Sequence, residues 1–136
     1  MMFTKILAAI DGNETSMEAL MEAKRMAVSH HATLRIVYAV VDSGEADQQV
    51  GLALLARAKA AVGEGLAVET RLLHADAAYG LTGIAEALAN AANEWEADLV
   101  VVGTAHRQGL KRLVIGSVAE QLVAMVDASI LLIRPR

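Results

Sequence analysis

Apolar residues follow two rhythms along this chain, short runs and longer stretches at helical spacing, and the two alternate. Phe3 to Ile10 reads as one apolar run, ended by Asp11-Gly12-Asn13. A segment apolar on both faces fits a central parallel strand. Thr15 and Glu18 have capping-box spacing and predict a helix start there. Met17, Leu20, Met21, Lys24, Ala27 and Val28 then recur at helical spacing, and His30-His31-Ala32 closes the helix. Thr33 to Val41, β-branched and apolar, is the second strand. A polar loop over 42–47 leads into an alanine-rich helix over 48–63, with Val50, Leu54, Ala58 and Ala61 on its inner side and Gly63 and Gly65 as stops.

Leu66 to Leu73 is interrupted by Val68, Glu69 and Arg71, an alternation that predicts a sheet-edge strand. A loop over 74–80 precedes the clearest helix, with Leu81, Ile84, Ala85, Leu88, Ala92 and Trp95 on one face. Asp98 leads into a fourth strand, Leu99 to Val102. Ser117 and Glu120 form a second capping-box pattern, with Val118, Leu122 and Met125 facing inward, and Ser129 to Ile133 is a last strand ended by Pro135. Strands alternating with helices predict an α/β protein, a three-layer α/β/α sandwich around a five-stranded parallel sheet. Right-handed crossovers place every strand-to-helix loop at one sheet edge. Ligands bind such sheets at that edge, where the strand order reverses.

Composition narrows the function classes. With 136 residues the chain makes one domain with a good core. A net charge of −4 and the lack of a long basic run argue against nucleic acid as a partner. The chain has no cysteine, so neither disulfides nor thiol chemistry carry it. No stretch approaches the roughly 18 apolar residues of a membrane span, and the first dozen residues run into a strand rather than a signal-peptide pattern. The expectation is a soluble, cytoplasmic protein. His30, His31, His74 and His106 are dispersed without metal-ligand spacing, so no metal site of their own is expected.

The candidate chemistry sits in LVVVGTAHRQGLKRLVIGSVAE, residues 99–120. Gly103 stands where a strand ends and Gly116-Ser117 where a helix begins, with Arg107, Lys111 and Arg112 between them. Free N–H groups at a helix start, glycines that let the main chain come close, and nearby cations suit an anion such as phosphate. Each feature also has a plainer reading. Gly103 can be simple turn chemistry, Ser117 can only cap its helix, and Lys111 and Arg112 can merely solvate the loop. Asp11 can be a ligand contact or the turn residue ending the first strand. Trp95 lies on an apolar stripe and reads as core.

This stretch resembles the nucleotide loop of the universal stress protein family, Gly-x2-Gly-x9-Gly-Ser/Thr. Gly103 and Gly116-Ser117 match at the family spacing, and His106 stands where the second glycine belongs. KILAAIDGNETS resembles the family's first strand and turn, with Asn13 in place of the usual Ser. VYAVVD, ADLVVVGT, GLKRLVIGSVAEQLV and ASILLIRP extend the likeness over essentially the whole chain, and residues 68–80 fit least well. The resemblance implies strand order 3-2-1-4-5, an adenine-nucleotide alpha-hydrolase-like fold, and ATP or AMP as ligand, with Mg2+ supplied through the phosphates. It also implies roles for particular residues. Asp11 with backbone at Ala39 or Val40 would hold adenine and ribose, and Gly103, His106, Gly116, Ser117 and Val118 the phosphates. It implies a homodimer as well; the short apolar last strand at a sheet edge would pair with its copy.

His106 puts a Cβ where the family pattern has none. Where that position needs φ > 0 the substitution costs about 1 kcal/mol or more. A protonated imidazole beside a phosphate would instead be a contact, its pKa raised by the negative charge. The expectation is nucleotide binding weaker than with Gly at 106. No positioned base or arginine-plus-metal arrangement is visible, so no enzyme is expected beyond slow ATP hydrolysis. The alternative is a dimeric stress-response interaction protein that no longer binds nucleotide, favoured by His106 and Asn13. Two other parallel-sheet functions fit poorly. A receiver domain needs neighbouring acids, and His74 stands where the second would be. A flavin carrier needs aromatics, and they make up only 3% of the chain.

Overall fold

The apolar runs near residues 5, 33 and 99 become the three inner strands of a parallel sheet, and the amphipathic stretches become its covering helices. The computed structural model describes residues 2–41, 44–104 and 116–134. Its elements run β1 (Lys5–Ala9), α1 (Glu14–His30), β2 (Thr33–Val40), α2 (Glu45–Val62), β3 (Val68–His74), a 3-10 turn (Ala77–Tyr79), α3 (Gly80–Trp95), β4 (Leu99–Gly103), α4 (Ser117–Met125) and β5 (Ser129–Ile133). The five strands are parallel in order β3-β2-β1-β4-β5. The expected order and the edge position of the third strand are therefore found.

Strand pleating sends successive side chains to opposite faces. Ile6, Ala8, Leu34, Ile36 and Val101 pack with Leu20 and Ala23 of α1 and Leu55 and Ala58 of α2. Leu7, Val37, Val100 and Val102 pack on the other face with Leu88 and Ala92 of α3 and Leu122 of α4. The sheet is thus covered on both sides, as its near-continuous apolar strands require.

The helix starts and one helix face differ from expectation. Asn13, not Thr15, caps α1: its Oδ1 accepts from Ser16 N at 3.1 Å, and the helix opens at Glu14. Thr15 is already inside the helix, so a Thr15–Glu18 box cannot form. Gly116 occupies the cap position of α4 without a side-chain cap. Ser117 is the first helical residue, and its Oγ accepts from Gln121 Nε2 at 3.0 Å instead of capping with Glu120. α2 begins at Glu45, with Glu45 and Asp47 in its first turn, where the helix dipole favours acids. Its buried residues are Gly51, Leu55, Ala58 and Val62, whereas Val50 is 58% exposed. Gly51 explains the rotated face. A Cβ there would lie 2.7 Å from Leu72 Cδ1 and 3.0 Å from Tyr38 Cδ2, so the glycine is a close contact that a count of apolar side chains passes over. Leu81, placed on the inner face of α3, is 55% exposed.

Polar groups pin the sheet edge where the strands begin. The Asp98 carboxylate accepts from Thr4 N at 2.8 Å, Thr4 Oγ1 at 3.0 Å and Lys5 N at 3.0 Å, joining the start of β1 to the entry of β4. Burial pushes the Asp98 pKa up, but these hydrogen bonds outweigh it and hold the carboxyl below its ordinary 3.8. Trp95 packs against the apolar cluster on its face as expected. Lys5 Nζ donates to its carbonyl at 3.0 Å, and the Arg35 guanidinium lies 4.3 Å from its ring centroid. Arg35 also pairs with Glu69 at 2.8 Å.

Candidate functional site

At the opposite sheet edge the strands end at different levels, which among the described residues leaves a gap. β1 pairs with β2 only as far as Ala9–Val37, and with β4 only as far as Ala8–Val101. β2 continues through Tyr38, Ala39 and Val40, and β4 through Val102 and Gly103. The central strand thus ends before both of its neighbours, β2 being longer and β4 displaced toward this edge, at the point where the chain order reverses from β1–β2 to β1–β4. Above the gap lies a cavity of about 660 Å³.

Seven of the eight residues singled out from the sequence line this one cavity: Asp11, Ala39, Val40, Gly103, Gly116, Ser117 and Val118. The eighth, His106, lies outside the described residues, as do the cations Arg107, Lys111 and Arg112. The turn after β1, the exits of β2 and β4, and the start of α4 therefore converge.

Gly103 owes its identity to packing. It is not among the positive-φ residues, which among the described glycines are Gly12, Gly63, Gly65 and Gly80. A Cβ on Gly103 would lie 2.8 Å from Thr15 Cγ2 and 3.0 Å from Thr15 O. The exit of β4 is pressed against the first turn of α1, and only a residue without a side chain fits between them.

Two groups give the cavity polarity. The carboxylates Asp11 and Asp47 lie on its lining, and no Lys or Arg does among the described residues. The second group is the start of α4. Gly116 adopts extended geometry, φ −67° and ψ 157°, and as the cap residue it has no side chain to turn back to the first-turn amides. These N–H groups, beside the positive end of the helix dipole, form an electropositive corner. Ser117 Oγ accepts from Gln121, which leaves its own hydroxyl proton free to donate.

Sequence reasoning missed much of the wall. Leu81, Ile84 and Leu88 of α3 line the cavity, so the early part of a stripe read as core overhangs a ligand-sized space. Tyr38, Thr104, Asn13 and Ser16 line it too. Thr104 is 6% exposed, and its N–H donates to Ile133 O at 2.9 Å, anchoring the exit of β4 to β5. Asn13 was findable, because Asn is a strong cap residue and follows Asp-Gly directly before the helix.

A sequence profile of the universal stress protein family matches residues 2–134. A universal stress protein of Thermus aquaticus is 35% identical over 138 residues, covering 98% of this chain and 100% of that one. The solved structure of a universal stress protein from Archaeoglobus fulgidus in complex with dAMP is similar with a TM-score of 0.76 at 19% identity, covering 98% of this chain and 99% of that one. A universal stress protein in complex with cAMP is similar with a TM-score of 0.73 at 23% identity, covering 98% of each chain. The shared architecture is the adenine-nucleotide alpha-hydrolase-like fold. The chain belongs to the universal stress protein family.

Proposed function

We propose that this protein binds an adenine nucleotide, ATP or AMP, in the cavity at the carboxyl ends of β1, β2 and β4, and acts by binding rather than by catalysis. The observation that carries the reading is the convergence of the Asp11 turn, the Ala39–Val40 exit, Gly103 and the uncapped start of α4 on one space. The complexes of two family members with dAMP and cAMP support the ligand class. Adenosine lies along Asp11, Ala39 and Val40, where the wall is apolar with a carboxylate acceptor. The phosphates lie toward Gly103, Gly116, Ser117 and Val118, where amides and a hydroxyl donate. The glycine-rich pattern Gly-x2-His-x9-Gly-Ser supports the phosphate side of this reading, with His106 itself outside the described residues. Among the described residues no group of three or more His, Cys, Asp or Glu could hold a metal ion. Mg2+ on this reading enters with the phosphates.

The chain works on this reading as one domain in the cytoplasm, and no helix among the described residues is long and apolar enough to cross a membrane. It is a homodimer through β5. Among the described residues that strand pairs only with β4, and Ile130 to Ile133 are half-buried, so a second copy covers an apolar edge. Titration calorimetry of the full chain with AMP, ATP and adenosine tests the proposal. Saturable binding of AMP tighter than adenosine is expected. No heat, together with a melting temperature unmoved by millimolar ATP, overturns it in favour of a dimeric interaction protein that does not bind nucleotide. His106→Gly, expected to bind more tightly, reports whether the imidazole crowds the ligand or touches it.

A further inference from the structure

The turn after β1 holds Asp11 in a way that gives a specific task to its neighbour. Asp11, Gly12 and Asn13 bend back on themselves, with Gly12 at φ +89°. Asn13 N donates to Asp11 Oδ1 at 3.0 Å, and Asn13 Nδ2 donates to Asp11 Oδ2 at 2.8 Å. The other end of the Asn13 amide is fixed independently. Its Oδ1 accepts from Ser16 N at 3.1 Å, which only the oxygen can do, so the amino group must face the carboxylate. Ser16, 4% exposed, closes the turn: its Oγ accepts from Asp11 N at 3.2 Å and donates to Asn13 O at 3.0 Å. One residue therefore caps α1 and grips both oxygens of the acid on the cavity wall, Oδ1 through its backbone N–H and Oδ2 through its side-chain amide.

We infer that Asn13 is a positioning residue, which holds the Asp11 carboxylate in the single orientation that the ligand meets. The inference rests on the proposed nucleotide site for its consequence, but not for its geometry. A carboxylate oxygen accepts from about two donors, so one donor from Asn13 on each oxygen leaves each with capacity for a ligand hydrogen bond. Holding an otherwise exposed carboxylate in place removes rotamer freedom that binding would otherwise have to remove.

Asn13→Asp separates the two tasks. Aspartate caps helices as well as asparagine, so α1 keeps its cap and the melting temperature stays within about 3 °C of wild type. The donor to Asp11 is replaced by a second carboxylate, and AMP affinity, read by calorimetry, falls about tenfold, the loss of one charge-assisted hydrogen bond. In an Asp11→Ala background the same change costs less than about twofold, because the residue it acts through is gone. An equal loss in both backgrounds, or an unchanged affinity in Asn13→Asp alone, overturns the inference. NMR couplings across the Asp11 side chain provide a readout without ligand. They are expected to report one χ1 rotamer in wild type and averaging in Asn13→Asp. Averaging in wild type overturns the inference whatever the affinity. Absence of AMP binding in wild type, with a single Asp11 rotamer, overturns the nucleotide reading and leaves the positioning intact.

Discussion

Replacing Gly103 by alanine tests whether β4 and α1 are held at a distance that admits no side chain. The new methyl group would meet Thr15 Cγ2 at 2.8 Å, Thr15 O at 3.0 Å and Thr15 C at 3.1 Å. Two of these three atoms are backbone in the first turn of a helix whose buried residues Ser16, Ala19 and Leu20 anchor it to the core. Relief therefore requires the helix start or the strand exit to move, and not a rotamer change. Overpacking of this kind costs about 2 kcal/mol, the middle of the range for an extra methyl in a packed site. For 136 residues the unfolding entropy near the midpoint is about 0.29 kcal/mol/K, so the melting temperature should fall by about 7 °C. Thermal melting followed by circular dichroism, with urea unfolding as a check, measures this. Adding Thr15→Ala removes the Cγ2 clash but leaves the carbonyl, so the double variant should recover only part of the loss. A Gly103→Ala variant within about 1 °C of wild type would refute the reasoning. So would full recovery by Thr15→Ala, since the constraint would then lie in a side chain.

Two further outcomes follow from the fold. Asp98→Asn should lower stability at pH 7 by about 1 kcal/mol, below the usual range for hydrogen bonds to a charge because the site is partly open to solvent and the amide oxygen still accepts. The Asp98 carboxyl has a depressed pKa when folded, so its contribution is complete well above 3.8 and fades as pH drops through the lower folded value. Denaturation midpoints of the two proteins should therefore converge as the pH falls below 3.8, and a gap that widens in acid contradicts the assignment. Ser117→Pro places proline at the first helical position, after a Gly116 whose extended φ and ψ suit a residue preceding proline. The fold should be retained while one amide donor and one hydroxyl are lost. AMP should then bind several-fold more weakly with adenosine unaffected, and an equal loss for both would show that the start of α4 does not meet the phosphate.

The layered architecture was legible because strand and helix periods differ and alternate cleanly. Apolar runs such as Leu99–Val102 are readable as parallel strands without any alignment. Strand order was not readable from periodicity, since it depends on which crossover goes to which side, and it came from the family likeness. Caps were misassigned by one or two positions, because Asn13, Thr15 and Ser16 compete at the start of α1 and because Ser117 is the first residue inside the helix whose cap position Gly116 holds. Geometry, not residue type, decides which of them turns back on the chain. The inner face of α2 was misread because its closest contact is made by Gly51, which has no side chain to count. That Gly103, Gly116 and Ser117 come together on one cavity was legible from the strand end and helix start they mark. The overhanging wall of α3 was not, because Leu81 and Ile84 look the same whether they cover a core or a hollow.

The early end of β1 has a consequence for how this site can change. The hollow among the described residues exists because the central strand ends before the strands on either side of it, and not because small side chains happen to border it. Amino-acid replacements along its walls can therefore retune what is accommodated while leaving the vacancy in place. Only a lengthened β1, an insertion rather than a substitution, would close it.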